Sequence, residues 1–229
     1  MKKILYLLFV STLFVGVISL TSVVVPRSGA ASATMTSIGK GKMTDVPTKA
    51  LLAAIHFDKN PTWDVAIDAR TWRLDTTLSP DNDQNPFDPF DPTKLIQVKR
   101  GNTFIVDGKI YPGGTIPPGG DFDNPSPFGP DSPGSIGKWT CRGVFNFDFS
   151  DIANGAAPHV FTTQTFQFDD NNALWTDGPE GGVTTVRAVT GGTGKFAEAN
   201  GQVTQETLGI NQAGASRLFN LRVAFKLKK

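Results

Sequence analysis

Two stretches of the chain alternate between apolar and polar positions over nine residues or more. From Trp139, the odd positions Trp139, Cys141, Gly143, Phe145, Phe147 and Phe149 are separated by Thr140, Arg142, Val144, Asn146 and Asp148. Near the C-terminus, Phe219, Leu221, Val223, Phe225 and Leu227 alternate with Asn220, Arg222, Ala224 and Lys226. A period of two with one apolar face predicts strands lying half against an apolar interior. Thr103–Tyr111, His159–Phe168, Leu174–Thr176, Val183–Val189 and the chain from Gln202 read as further strands, less regularly patterned. Leu51–Phe57, Trp63–Leu78 and Leu95–Lys99 carry weaker strand character. No stretch keeps a helical period. Many short strands with turns at short intervals predict an all-β barrel or sandwich, and pattern alone does not separate the two.

Breakers divide this pattern. Ser79–Pro92 holds Pro80, Pro86, Pro89 and Pro92 among its aspartates, which excludes a regular element. Asp81, Asp83 and Asn85 have the alternate spacing that opens a calcium-binding EF-hand loop. Pro86, however, stands where that loop needs glycine, and Pro92 where it needs glutamate, so a solvated acidic linker is the better reading. Pro112–Pro133 is again rich in proline and glycine, with Phe122 and Phe128 set to fold onto a barrel mouth or to pack within the loop. Asp107-Gly108 suggests a bulge or tight turn.

The start of the chain changes the domain reading. Lys2 and Lys3 precede an apolar run, Ile4 to Val25, and Ala31-Ser32-Ala33 offers a small-residue cleavage site. Residues 1–33 therefore read as a signal peptide and the protein as secreted or extracytoplasmic, with a retained membrane anchor as the rival reading. Without them, 19 basic and 21 acidic side chains remain, and no concentrated basic face points to nucleic acid. Residues 34–94 read as a poorly ordered leader with weak strands and the acidic loop, and 95–229 as the barrel domain. Cys141 is the one cysteine of the chain, so no internal disulfide forms.

Between Ala188 and Val203 the pattern compresses into a corner. Gly191, Gly192 and Gly194 allow a sharp turn, Lys195–Asn200 has room for a single helical turn presenting Phe196 and Ala199, and Gly201 releases the next strand. No Gly-x-Gly-x-x-Gly and no Gly-Lys-Ser/Thr ending is present, so the glycines do not read as a phosphate loop. The run Gly191-Gly192-Thr193-Gly194-Lys195-Phe196 followed by Ala199, Gly201, Gln202 and Val203 resembles the signature of the allene oxide cyclase barrel, shared more loosely with dirigent proteins. Thr165–Phe168, Asp177-Gly178-Pro179 and Leu218–Leu227 extend the resemblance over roughly the last ninety residues. It implies an eight-stranded antiparallel β-barrel of a size that can hold one small ligand.

Candidate chemistry is sparse. His56 and His159 lack neighbours at metal-ligand spacing, so no metal or cofactor is expected; no Gly-x-Ser-x-Gly elbow points to a triad, which would have to assemble in space. Trp139, Phe145, Phe147 and Phe149 on one wall, with Phe219, Val223 and Phe225 on another, are the candidate lining for a small apolar molecule. The alternation turns Cys141 inward with them and turns Arg142, Asp148 and Arg222 outward. The resemblance implies a lumenal cysteine at Cys141, although the family's Gly-Leu-Cys is Trp139-Thr140-Cys141 here, and Glu180 stands where its lumenal tyrosine would follow Gly-Pro. It also implies isomerisation or cyclisation of a reactive apolar substrate. Cys141 would then be a polarisable group and Glu180 a proton acceptor or charge stabiliser at the rim. The alternative is a non-catalytic exported protein that homo-oligomerises through its barrel strands, driven by an exposed apolar face on the last strand.

Overall fold

The computed structural model describes residues 60–75, 98–182 and 184–228. Residues 1–33, expected as a signal peptide, residues 34–59 of the expected leader with His56, and the acidic proline-rich loop lie outside the described residues. Eight strands close into an antiparallel barrel in chain order. They are β1 (Thr62–Asp75), β2 (Thr103–Pro112), β3 (Gly137–Phe145), β4 (Val160–Gln167), β5 (Ala173–Glu180), β6 (Thr184–Gly192), β7 (Asn200–Ala213) and β8 (Ser216–Lys228). β8 seals the wall against β1, with Trp63 opposite Val223 and Val65 opposite Leu221.

β1 places the start of the barrel at Thr62, ahead of the expected boundary at Leu95. Its alternation was weak because both of its faces are covered. Trp63, Val65, Ile67 and Ala69 point into the core, while Asp64 and Ala66 are buried under a loop on the outer wall. A strand buried on both sides loses the polar half of its pattern.

That loop is the proline- and glycine-rich stretch between β2 and β3. It lies on the outside of the barrel and not over a mouth. Ile116 and Phe128 pack there with Ala66, Tyr111 and Leu208, and the Phe128 ring meets Tyr111 edge-on at 5.0 Å. Buried Asp64 accepts from the Ile116 N–H at 2.8 Å and pairs with Arg222 at 2.9 Å, fixing the loop to β1 and β8. The second half of β7 runs beyond its pairing with β6, which ends at Glu206. The loop takes over that edge: Gly119 N–H donates to Leu208 O, Ile210 N–H to Gly120 O, and Ser126 N–H to Ile210 O, all within 3.0 Å. Gly209 is needed here, because a Cβ would stand 2.0 Å from Gly119 O.

Inside, one end of the barrel is closed by aromatics. The Trp63 ring lies 4.6 Å from Phe168, 4.7 Å from Phe225, 5.8 Å from Phe166 and 6.0 Å from Phe196. Phe196 belongs to the corner between β6 and β7, where Gly194–Phe196 forms one 3-10 turn. Asn172 anchors this turn by accepting from Lys195 N–H at 2.9 Å, and Gly194 (φ +58) passes so close that a Cβ would meet Asn171 O at 2.5 Å. The corner and its aromatic plug are as the sequence suggested, but the helical turn is Gly194–Phe196 and not within Lys195–Asn200, and β7 starts at Asn200 and not at Gln202. Asp107-Gly108 forms no turn. It lies within β2, where a Cβ on Gly108 would come 3.1 Å from Trp139 Cε3 and 2.7 Å from Ala66 O.

β3 is shorter than its alternation. Asn146 breaks away, donating its N–H to His159 O at 3.0 Å and its side-chain amide to Pro158 O at 2.9 Å. Asp148 accepts from Arg100 N–H at 2.8 Å, and Phe149 opens a short helix, α1 (Phe149–Ala153). Phe147 and Phe149 therefore stand beyond the strand and do not continue its inner wall. β5, by contrast, runs on through Asp177-Gly178-Pro179 to Glu180, where the sequence suggested an end.

Candidate functional site: a polar cluster in the lumen

The middle of the barrel carries polar side chains where an apolar filling would be ordinary. β4 turns Val160, Thr162, Gln164 and Phe166 inward, and β6 turns Arg187 and Val189 inward. β7 adds Gln205, and β3 adds Trp139 and Cys141. The Arg187 side chain is fully buried at 0% exposure, while that of Glu180, at the end of β5, keeps 21%.

These groups form one connected network around Glu180 Oε1. That atom accepts from Thr162 Oγ1 at 2.7 Å, from Gln164 Nε2 at 2.7 Å, and from an Arg187 guanidinium nitrogen in an ion pair. Gln164 also donates to Gln205 Oε1 at 2.7 Å and accepts from Trp139 Nε1 at 3.2 Å. Arg187 spends its other terminal nitrogen on the backbone carbonyls of Thr176 and Thr162, at 3.1 and 3.2 Å. Its stem lies against Gly178, where a Cβ would approach Arg187 Cγ to 3.1 Å. The glycine of Asp177-Gly178-Pro179 thus makes the space the arginine occupies.

The network is not closed. Arg187 Nε and Thr176 Oγ1 are buried without a hydrogen-bond partner. Burial draws the Arg187 guanidinium down to about 10, which leaves it charged at neutral pH. Burial also pushes the Cys141 thiol up to about 12, outweighing the nearby Arg187 charge and a hydrogen bond with Thr162. Cys141 is therefore a neutral thiol at the cluster's edge and not a thiolate nucleophile. Among the described residues no three His, Cys, Asp or Glu side chains gather to hold a metal ion.

The residues expected from the sequence divide into three groups. Trp139, Cys141, Val223 and Phe225 are buried in the lumen core, and Phe145 and Phe219 pack against it from partly exposed positions. Glu180 is the last residue of β5, directly across from Val160 on β4. Phe147 lies outside the lumen, in a groove on the outer wall, and Phe149 is the first residue of α1. Arg142 and Arg222 face outward as the alternation indicated. The sequence reading missed Arg187, Gln164 and Gln205. Arg187 was hidden because Val186, its neighbour, is the more obvious inward residue yet is 54% exposed.

No protein-family model matches the chain, and no curated protein does. Among solved structures it is similar to a pyocyanin demethylase, at 13% identity and TM-score 0.40, over 74% of this chain and 99% of that one. It is also similar to two pterocarpan synthase dirigent proteins. PsPTS1 shows 11% identity and TM-score 0.44 over 72% of this chain and 91% of that one. GePTS1 shows 12% identity and TM-score 0.43 over 72% and 81%. These are likenesses of barrel architecture at low identity.

Proposed function

We propose that this protein binds a small, mostly apolar molecule in the barrel lumen, entered from the end where Glu180 lies. The observation that carries this reading is the open polar network at the centre of an apolar barrel. A buried ion pair contributes little net stability and is often outperformed by apolar packing. A buried donor left unsatisfied costs about 1–3 kcal/mol. Arg187 Nε and Thr176 Oγ1 are the kind of groups that one polar atom of a ligand would complete, while Trp139 and Phe145 receive its apolar body.

The test is fluorescence titration of the protein with a polyene fatty acid, following quenching of Trp139. Saturable quenching is expected, weakened by Arg187→Met and abolished by Trp139→Phe. A linear, non-saturating response in the wild-type chain would remove the lumenal site.

A catalytic reading builds on the same site. Glu180 is fixed by three donors on one oxygen and would present a preorganised negative charge to a cationic transition state, steering an isomerisation or cyclisation. Cys141 would contribute polarisability as a neutral thiol. Offering an unsaturated epoxide and comparing product stereochemistry with buffer tests this. A racemic product, unchanged by Glu180→Gln, leaves binding alone. The alternative is a non-catalytic protein that homo-oligomerises through its barrel strands; Leu221, Val223 and Phe225 of β8 lie in the core, so the outward face of another strand would have to carry it, and light scattering that reports a monomer would remove it.

A further inference from the structure

A second concavity lies outside the barrel. Where β3 stops and the chain turns at Asn146, a groove of about 440 Å³ opens on the outer wall, lined in part by Arg100, Val144, Phe145, Phe147, Pro158 and Phe161. Phe161 is 51% exposed and sits directly across the ladder from Val144 on one side and Pro179 on the other. Ile105 on β2, 36% exposed, adds to the apolar surface of the same wall. Phe161 and the half-buried Val144, paired across the β3–β4 ladder, form the continuous apolar part of this surface.

The charge around this patch is mixed, with Lys99, Arg100 and Arg142 outnumbering the nearby Asp148. Among the described residues the Arg100 and Arg142 side chains make no ion pair, and Arg142 is exposed two residues from Val144 on the same outward face of β3. The nearby acid, Asp148, is already engaged by Arg100 N–H at 2.8 Å and Lys99 Nζ at 3.4 Å. Asp177, farther round the wall, is held by Thr163 and Thr190. The volume falls in the range of small-molecule sites, and guanidinium groups pair well with carboxylates and sulfonates.

We propose that this groove binds a small amphipathic organic anion, its apolar body on Phe161, Val144 and Phe147 and its acid group at Arg100. The groove shares Phe145 with the rim of the barrel core, but Arg100, Val144, Phe147 and Phe161 belong to it alone, and the proposal does not rest on the lumenal reading. A second copy of the chain is disfavoured as the occupant. A two-fold contact through this groove would bring two faces with an excess of arginine and lysine together, and like charges across an interface are costly.

The probe is 1-anilinonaphthalene-8-sulfonate, titrated against the full chain by fluorescence. Saturable binding is expected, with the neutral N-phenyl-1-naphthylamine bound about tenfold more weakly. Arg100→Gln and Phe161→Ser should each weaken the sulfonate about fivefold to tenfold, with unchanged circular dichroism. Trp139→Phe in the lumen should leave it unaffected. If Phe161→Ser fails to fold, Arg100→Gln, at an exposed side chain, decides. Equal affinity for the neutral probe, no effect of Arg100→Gln, or loss of binding in Trp139→Phe would overturn the proposal. So would light scattering that shows an oligomer dissociated by Phe161→Ser, because a second copy would then cover the groove.

Discussion

At the scale of single residues, the barrel's interior is set by a few side chains that break its apolar rule. Arg187 and Glu180 neutralise each other in a space made by Gly178, so removing one partner strands the other. Arg187→Met should cost about 3–5 kcal/mol in urea denaturation, and adding Glu180→Gln should recover much of it. Cys141 offers an independent reading of the same space. With its thiol pushed up to about 12, it should resist a disulfide reagent at pH 8 in the native state and react at once in denaturant. Cys141 and Trp139 were legible from the sequence because β3 alternates strictly. Gln164 and Arg187 were not, because a polar residue on an inward position looks like any outward one until the register is known. In β6 the register hangs on Val189 facing in and Val186 facing out, and both are valine.

At the scale of elements, the corner between β6 and β7 was legible because its glycines and Phe196 admit few other conformations. Phe196 closes one barrel end against Trp63 and Phe168, and Phe196→Ala should destabilise by about 3–5 kcal/mol, read as a lower urea midpoint with unchanged slope. The end of β3 was not legible, since the run through Phe149 keeps strand periodicity. What stops it is Asn146 bonding to Pro158 and His159 from a distant turn, a contact invisible to local pattern. β1 was blurred for the opposite reason, being covered on both faces by elements far from it in the chain.

For the whole molecule, eight strands with period-two patterning lead to a closed sheet, and closure explains why so much of the fold could be read locally. The dependence on pH is a property of the whole fold but starts from one ring. Burial holds the His159 imidazole below its ordinary value of 6.5, so between that value and its lower native one the unfolded chain binds the extra proton. Stability should therefore be full above about pH 6.5 and decline as pH falls below it. His159→Gln should flatten that limb in thermal melts taken from pH 7.5 to 5. A second loss at lower pH follows from Asp148 and Asp169, whose carboxyls are held below the usual range by hydrogen bonds from Arg100 N–H and Asn172.

The loop that accompanies the second half of β7 has a consequence for the protein's behaviour in concentrated solution. Leu208 and Ile210 would otherwise present a free ladder of amides and carbonyls, which is a template for another chain. The loop is a stopper against self-templating, and it is held by Asp64 accepting from Ile116 and by the close fit of Gly209 beneath Gly119. Gly209→Val would push the stopper off and, because Gly209 sits at φ +146, would also strain its own pairing with Asn220 while leaving the rest of the β7–β8 ladder in place. Its mark would be fibrillar, thioflavin-binding material growing with protein concentration, from a chain that still melts cooperatively when dilute.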